Sequence, residues 1–152
     1  MTFSYLDGLF VVRSFLTVVL LGLMAEEDHR SGLISASLFD AAWMMGVLLL
    51  VLTFDFPFMF WGIIGYGVVA LLLIALFKAG AIYRGDVFMV SSTALLMPYF
   101  LNGVPLALAA FLFGGWLSVV FAKLMGKGKQ RFGPYYLVGF LIAFTLYFYR
   151  FV

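Results

Sequence analysis

Two aspartates in this chain have the residue type and the position that acid–base chemistry requires. Asp28 follows the first apolar run, and Asp86 directly precedes the uncharged stretch Val87–Ala122. An ionisable group at the edge of hydrocarbon is costly to keep, so each aspartate is a candidate functional residue. Two neighbouring carboxylates can share one proton, because both cannot be ionised cheaply. One can then deprotonate a water molecule while the other polarises a carbonyl oxygen, which is the chemistry of peptide-bond hydrolysis.

The composition defines the class of protein in which these aspartates lie. The 152 residues are 66% hydrophobic and only 11% charged, whereas soluble domains are about 45–50% apolar and about 25% charged. The sequence therefore predicts an integral membrane protein. It has no cysteine and a single histidine, His29, so we expect no metal site and no organic cofactor. No recognisable motif places a serine nucleophile beside His29, and the net charge of +2 is too small to indicate nucleic-acid binding.

Six apolar runs are candidate membrane spans, since a span needs about 20 apolar residues. The stretch Val87–Ala122 is too long for one span, and the segment Pro98–Pro105, with Asn102-Gly103 at its centre, predicts a turn within it. All six spans are expected to be helices, because an open sheet edge cannot be satisfied in lipid. We predict one all-α domain over residues 1–152. The predicted spans are Tyr5–Met24, Leu33–Phe54, Phe58–Phe77, the short Val87–Leu101, Val104–Ala122 and Phe132–Tyr149.

The basic residues predict the orientation of the six spans. The loops after the first, third and fifth spans contain Arg30, Lys78, Arg84, Lys123, Lys127, Lys129 and Arg131. The opposite face has only Arg150, while Arg13 lies inside the first span. By the positive-inside rule both termini lie on the non-cytoplasmic side of a cell membrane. Asp28 and Asp86 then share the cytoplasmic surface, and the basic loop Lys123–Arg131 is expected to contact anionic lipid headgroups.

Three motifs in order resemble those of the type IV prepilin peptidases and archaeal preflagellin peptidases, the membrane aspartyl proteases of the GxGD kind. Asp28–Ile34, DHRSGLI, is similar to the D-x-R-x-x-x-I of the family, which includes Arg30. Arg84–Phe88, RGDVF, is similar to the G-x-G-D-V that opens the fourth span. Arg131–Gly139, RFGPYYLVG, is similar to the F-G-P-[FY]-L-x-x-G that opens the last span. The resemblance covers essentially the whole chain.

The resemblance implies a minimal aspartic endopeptidase with Asp28 and Asp86 as its catalytic pair, Gly85 beside the second aspartate, and no cofactor. Its substrates would be prepilin-like or preflagellin-like precursors, cut at the cytoplasmic membrane face. Phe132, Gly133 and Pro134 would shape the site without direct chemistry. Two positions depart from the family pattern, because Tyr83 replaces the first glycine of GxGD and Ser35 replaces a proline.

Several interpretations remain open at this point. Glu26 and Glu27 either bind a basic substrate leader or only mark the end of the helix. The deep charges Arg13 and Asp40 are predicted to pair inside the bundle. A small ion- or proton-coupled transporter is an alternative function, since that class places ionisable groups near the midplane. A non-catalytic relative acting in pilus assembly is another alternative, for which Tyr83 is the only hint.

Overall fold

The computed structural model describes residues 5–126 and 131–149 and is all-helical apart from one very short hairpin. Lys127, Lys129 and Arg150, which were used for the predicted orientation, lie outside the described residues. The helices are α1 (Tyr5–Ser31), α2 (Ala36–Leu52), α3 (Phe56–Lys78), α4 (Arg84–Leu96), α5 (Leu106–Met125) and α6 (Gly133–Tyr149), and the hairpin strands are β1 (Phe100–Leu101) and β2 (Val104–Pro105). Six helices therefore match the six predicted spans in order.

Helix α1 is longer than its predicted span, which ended at Met24. It continues to Ser31 because the added residues are good helix formers and Glu26 pairs with Arg30 one turn later, at 2.5 Å. It ends where Gly32 adopts a left-handed conformation, φ +74°, and donates its N–H to the Asp28 carbonyl oxygen at 2.9 Å. Asp28 therefore lies on a helix, within its last turn.

The predicted turn between the fourth and fifth spans is confirmed. Helix α4 ends at Leu96, before Pro98, because a proline disfavours helical conformation in the residue preceding it. Strands β1 and β2 then form a hairpin around Asn102 and Gly103, whose φ angles are +52° and +81°. Asn-Gly is the pair of residues that tolerates such a turn.

Three helices of the described part, α1, α3 and α5, are long and apolar enough to cross a membrane. Helices α2 and α6 are apolar but shorter, with 17 residues each. Helix α4 has 13 residues, is buried continuously from Met89 to Leu96, and packs against every other helix. It forms the centre of the bundle, so the elements around it fix the position of its first turn.

Helices α5 and α6 cross at Gly114 and Gly139 with their backbones in direct contact. A Cβ atom added to Gly139 would lie 2.5 Å from the carbonyl oxygen of Ala110 and 2.5 Å from the backbone nitrogen of Gly114. No side chain fits at this separation, which explains Gly114 of α5 and Gly139 of α6 as packing residues. The close crossing also holds the start of α6 against the rest of the bundle.

The predicted pairing of Arg13 with Asp40 is wrong. The Arg13 guanidinium is buried and donates hydrogen bonds to the carbonyl oxygens of Leu49 (2.5 Å) and Leu96 (3.0 Å) and to the Thr53 hydroxyl (2.8 Å), whereas Asp40 is exposed. Because α1 continues to Ser31, Arg13 lies about 27 Å from that end of the helix. It is therefore level with the far end of α2 rather than with Asp40.

Arg13 instead satisfies the free carbonyl groups at the C-terminal ends of α2 and α4, where a cation is also favoured by the helix dipoles. Replacing it in Arg13→Met should destabilise the protein by about 1–3 kcal/mol, because the buried Leu96 carbonyl oxygen loses its donor. Thermal unfolding in detergent, followed by tryptophan fluorescence, measures the loss. Asp40→Asn is the control and should leave the transition unchanged; an equal loss in both variants would restore the pairing hypothesis.

Candidate active site

Asp28 is fixed in its position by the start of α6. Its side chain is 9% exposed, and its Oδ2 atom accepts a hydrogen bond from the backbone N–H of Gly133 at 2.8 Å. Because the first backbone N–H groups of a helix have no partner within the helix, they are available to a carboxylate. The glycine of the FGP motif thus holds the first candidate catalytic residue directly.

Asp86 lies in the first turn of α4 and is held in a similar way. Its side chain is also 9% exposed, and its Oδ2 atom accepts a hydrogen bond from the backbone N–H of Tyr83 at 2.8 Å. Tyr83 precedes the helix with an extended backbone, φ −100° and ψ 167°, which any residue can adopt. The substitution of a glycine by tyrosine at this position therefore introduces no backbone strain.

Both aspartates line one open pocket with a volume of about 740 Å³. Its walls come from the ends of α1 and α5, the loop before α4 and the residues around Phe132. They include Tyr83, Gly85, Phe111, Ser118, Lys123 and Arg131. The pocket is large enough to receive several residues of an extended peptide, and it gives solvent access to two carboxylates that are otherwise buried.

Gly85 leaves the approach to Asp28 open. A Cβ atom added at position 85 would lie 4.0 Å from Asp28 Oδ1 and 3.5 Å from the Ile34 side chain. Gly85 lies in the first turn of α4 and is not among the glycines with positive φ. A glycine is therefore not required here by the backbone conformation, and its role is to leave space beside Asp28.

The two carboxylates influence each other electrostatically. Asp86 precedes the apolar stretch that begins at Val87, so it lies outside the predicted spans. Burial, and secondarily the negative charge of Asp28, raise the pKa of Asp86 to about 7. A carboxyl group with this pKa is protonated in about half of the molecules near neutral pH, whereas an ordinary aspartate is almost fully ionised there, and an aspartic pair needs one protonated member.

The raised pKa predicts a pH-dependent effect of Asp86→Asn on stability. In the unfolded chain Asp86 loses its proton near pH 4, but in the folded chain it does so only near pH 7. Wild-type stability therefore falls between these pH values, and asparagine removes the loss. The melting temperature of the variant relative to wild type should rise by a few degrees from pH 5 to pH 8.

Differential scanning fluorimetry across that pH range provides the measurement. Asp40→Asn is the matched control, because Asp40 is exposed on α2 and away from the pocket. Its difference from wild type should stay constant with pH. A constant difference for Asp86→Asn as well would contradict a carboxyl group with a raised pKa at this site.

Three candidate residues do not line the pocket, namely Arg30 from the first motif and the glutamates Glu26 and Glu27, which were considered for binding a substrate leader. Arg30 forms an exposed ion pair with Glu26 on α1. The Glu27 carboxylate accepts hydrogen bonds from the backbone N–H of Ser35 at 2.8 Å and from its hydroxyl at 3.2 Å. Both glutamates thus have partners within the chain, and Glu27 holds the start of α2 where the family has a proline.

One residue at the site was missed as a candidate in the sequence. Arg131 donates to the backbone carbonyl oxygen of Asp28 at 2.8 Å and to that of His29, and so ties the loop before α6 to the end of α1. Its position directly before the FGP motif was the available signal, but its charge was assigned to membrane orientation. Tyr83 and Phe132 line the pocket with the two aspartates, Gly133 binds Asp28, and Pro134 lines a neighbouring cleft.

In the part of the chain that the structure describes, no three acidic or histidine side chains are grouped in a way that could hold a metal ion. No family model matches the sequence, and neither a curated protein nor a solved structure matches it.

Proposed function

We propose that this protein is a membrane-embedded aspartic endopeptidase with Asp28 and Asp86 as its catalytic pair. One observation carries the proposal: two buried carboxylates from distant parts of the sequence line the same open pocket, each held by a backbone N–H. The raised pKa of Asp86 and the resemblance of three motifs to the GxGD proteases support the same function.

In the proposed reaction, Asp86 holds the shared proton and Asp28 acts as the general base. The Asp86 Oδ2 atom already accepts the Tyr83 N–H, so Oδ1 is the oxygen that would carry the proton. Asp28 removes a proton from water, the resulting hydroxide attacks the peptide carbonyl carbon, and Asp86 donates its proton to the carbonyl oxygen. When the C–N bond breaks, the proton held by Asp28 passes to the leaving amine, and the carbonyl re-forms as its hydroxyl proton returns to Asp86.

We further propose that the six predicted spans lie in a cell membrane, with both termini on the non-cytoplasmic side and the pocket at the cytoplasmic face. The basic residues at the ends of α1, α3 and α5 support this orientation. The substrate would be a prepilin-like or preflagellin-like precursor, whose apolar helix lies in the bilayer while its leader junction enters the pocket.

The experiment is incubation of the purified protein with a prepilin-type precursor, followed by mass spectrometry of the products. We expect a single cleavage between leader and apolar helix, without added metal. An intact precursor that nevertheless co-purifies with the protein would indicate the non-catalytic assembly relative instead. Proton-coupled transport by the protein in liposomes, with no cleavage, would indicate the transporter.

A further inference from the structure

A second cleft lies beside the candidate active site, between the ends of α1, α5 and α6. Its volume is about 730 Å³, and we call it the His29 cleft. Its lining residues are His29, Leu117, Phe121, Arg131, Pro134, Tyr135 and Val138. The two cavities share Arg131. The proposed peptidase activity makes no use of the His29 cleft.

The part of the His29 cleft next to Arg131 is electropositive. Arg131 uses its Nη1 atom to bind two backbone carbonyl oxygens, and within the described residues it forms no ion pair with a carboxylate. His29 adds an exposed imidazole that can donate a hydrogen bond. This part of the cleft favours an anion.

The other walls of the same cleft are apolar. Phe121 of α5 and Val138 of α6 are 44% and 46% exposed, and Leu117 lies one turn from Phe121. The Phe121 and Tyr135 rings contact each other across the two helices, with centroids 5.7 Å apart. Helix α5 is also long and apolar enough to cross a membrane. A ligand that fills the whole cleft must combine a negative group with a hydrocarbon chain.

We propose that the His29 cleft binds an anionic phospholipid. The phosphate lies against Arg131 and His29, and one acyl chain follows the walls formed by Leu117, Phe121 and Val138. Basic pockets between membrane helices on the cytoplasmic side have the chemistry that anionic headgroups recognise. This inference does not depend on peptidase activity, although Arg131 also holds the backbone of Asp28, so the lipid would stabilise the helix end that carries this aspartate.

The test is the melting temperature of the protein in uncharged detergent, with phosphatidylglycerol, phosphatidylcholine or inorganic phosphate added. At about ten times its dissociation constant, phosphatidylglycerol should raise the melting temperature by about 3–6 °C. Phosphatidylcholine should raise it far less, since it has no net charge, and inorganic phosphate far less because it has no acyl chain. Equal shifts with both lipids, or with phosphate alone, would overturn the proposal.

Three variants locate the lipid in the cleft. Arg131→Gln should lose most of the phosphatidylglycerol shift, whereas Lys78→Gln, which removes a basic residue at the end of α3, should keep it. Because Arg131→Gln also weakens the end of α1, Val138→Trp provides a second test, filling the cleft while leaving every charge in place. We expect it to reduce the shift at least threefold. An unchanged shift in Val138→Trp, or equal losses in the Arg131 and Lys78 variants, would refute the site.

Discussion

Asp28→Asn and Asp86→Asn should each abolish precursor cleavage while leaving the protein folded. In the wild-type protein the backbone N–H of Gly133 binds Asp28 and that of Tyr83 binds Asp86, each at 2.8 Å. Asparagine is nearly isosteric with aspartate, and its side-chain oxygen can still accept the same hydrogen bond. The amide cannot transfer a proton, however. We expect a loss of at least about 1,000-fold in kcat/KM for each variant, and no further loss in the double variant, because the two carboxylates act as one unit.

The assay is cleavage of a prepilin-type precursor followed by mass spectrometry, with circular dichroism as the check on folding. Asp40→Asn is the matched control, since it makes the same chemical change at an exposed carboxylate outside the pocket, and it should retain full activity. If either Asp28→Asn or Asp86→Asn keeps a tenth of wild-type turnover, the pair is not catalytic, whatever the other variant does.

The helices were predictable because each depends on local sequence. Apolar runs of sufficient length predicted six helices, and Pro98 with Asn102-Gly103 predicted the reversal between α4 and α5. The extension of α1 to Ser31 was missed because its last turns are polar, so an apolar-length criterion stops at Met24. Hydropathy identifies only the apolar part of a helix, which can lie in the hydrocarbon of a membrane, and the helix can continue beyond that part.

The partners of the deep charges were not predictable, because they depend on which helix ends meet. Arg13 was assigned to Asp40 by opposite charge and an assumed depth, but it binds carbonyl oxygens at the ends of α2 and α4. Every residue has a backbone carbonyl oxygen, so an acceptor of this kind cannot be recognised from the residue type. The Glu27–Ser35 contact was missed for the same reason, since half of that interaction is a backbone N–H.

In the candidate site, too, features that depend on local sequence were predictable and contacts between distant parts of the chain were not. The two aspartates could be selected from their positions and motifs, and both line the pocket. Arg30 could not be separated from them by sequence, because its exposure and its pairing with Glu26 depend on the direction in which that face of α1 points. The N–H of Gly133 carries no side-chain signal at all, yet it binds the Asp28 carboxylate at 2.8 Å and so joins two distant parts of the chain.

That contact makes Gly133→Ala the most informative conservative substitution near the site. A Cβ atom at position 133 would lie 2.8 Å from Asp28 Oδ2, 2.9 Å from Asp28 Cβ and 3.2 Å from the Cα of Ala25. The first two atoms belong to the proposed general base and the third to the α1 backbone, so the carboxylate has to move while the helix cannot easily retreat. A displacement of about 1 Å at a catalytic group can cost about 100-fold in rate.

We therefore expect Gly133→Ala to lower kcat about 100-fold with a much smaller change in KM, because the pocket that receives the peptide stays open. Gly22→Ala is the control, since it places the same methyl group on α1 with no atom within 4 Å, and it should retain wild-type kinetics. Turnover of Gly133→Ala within threefold of wild type would mean that the position of Asp28 does not limit the reaction. In that case Asp28 would not be the general base, even if Asp28→Asn were inactive.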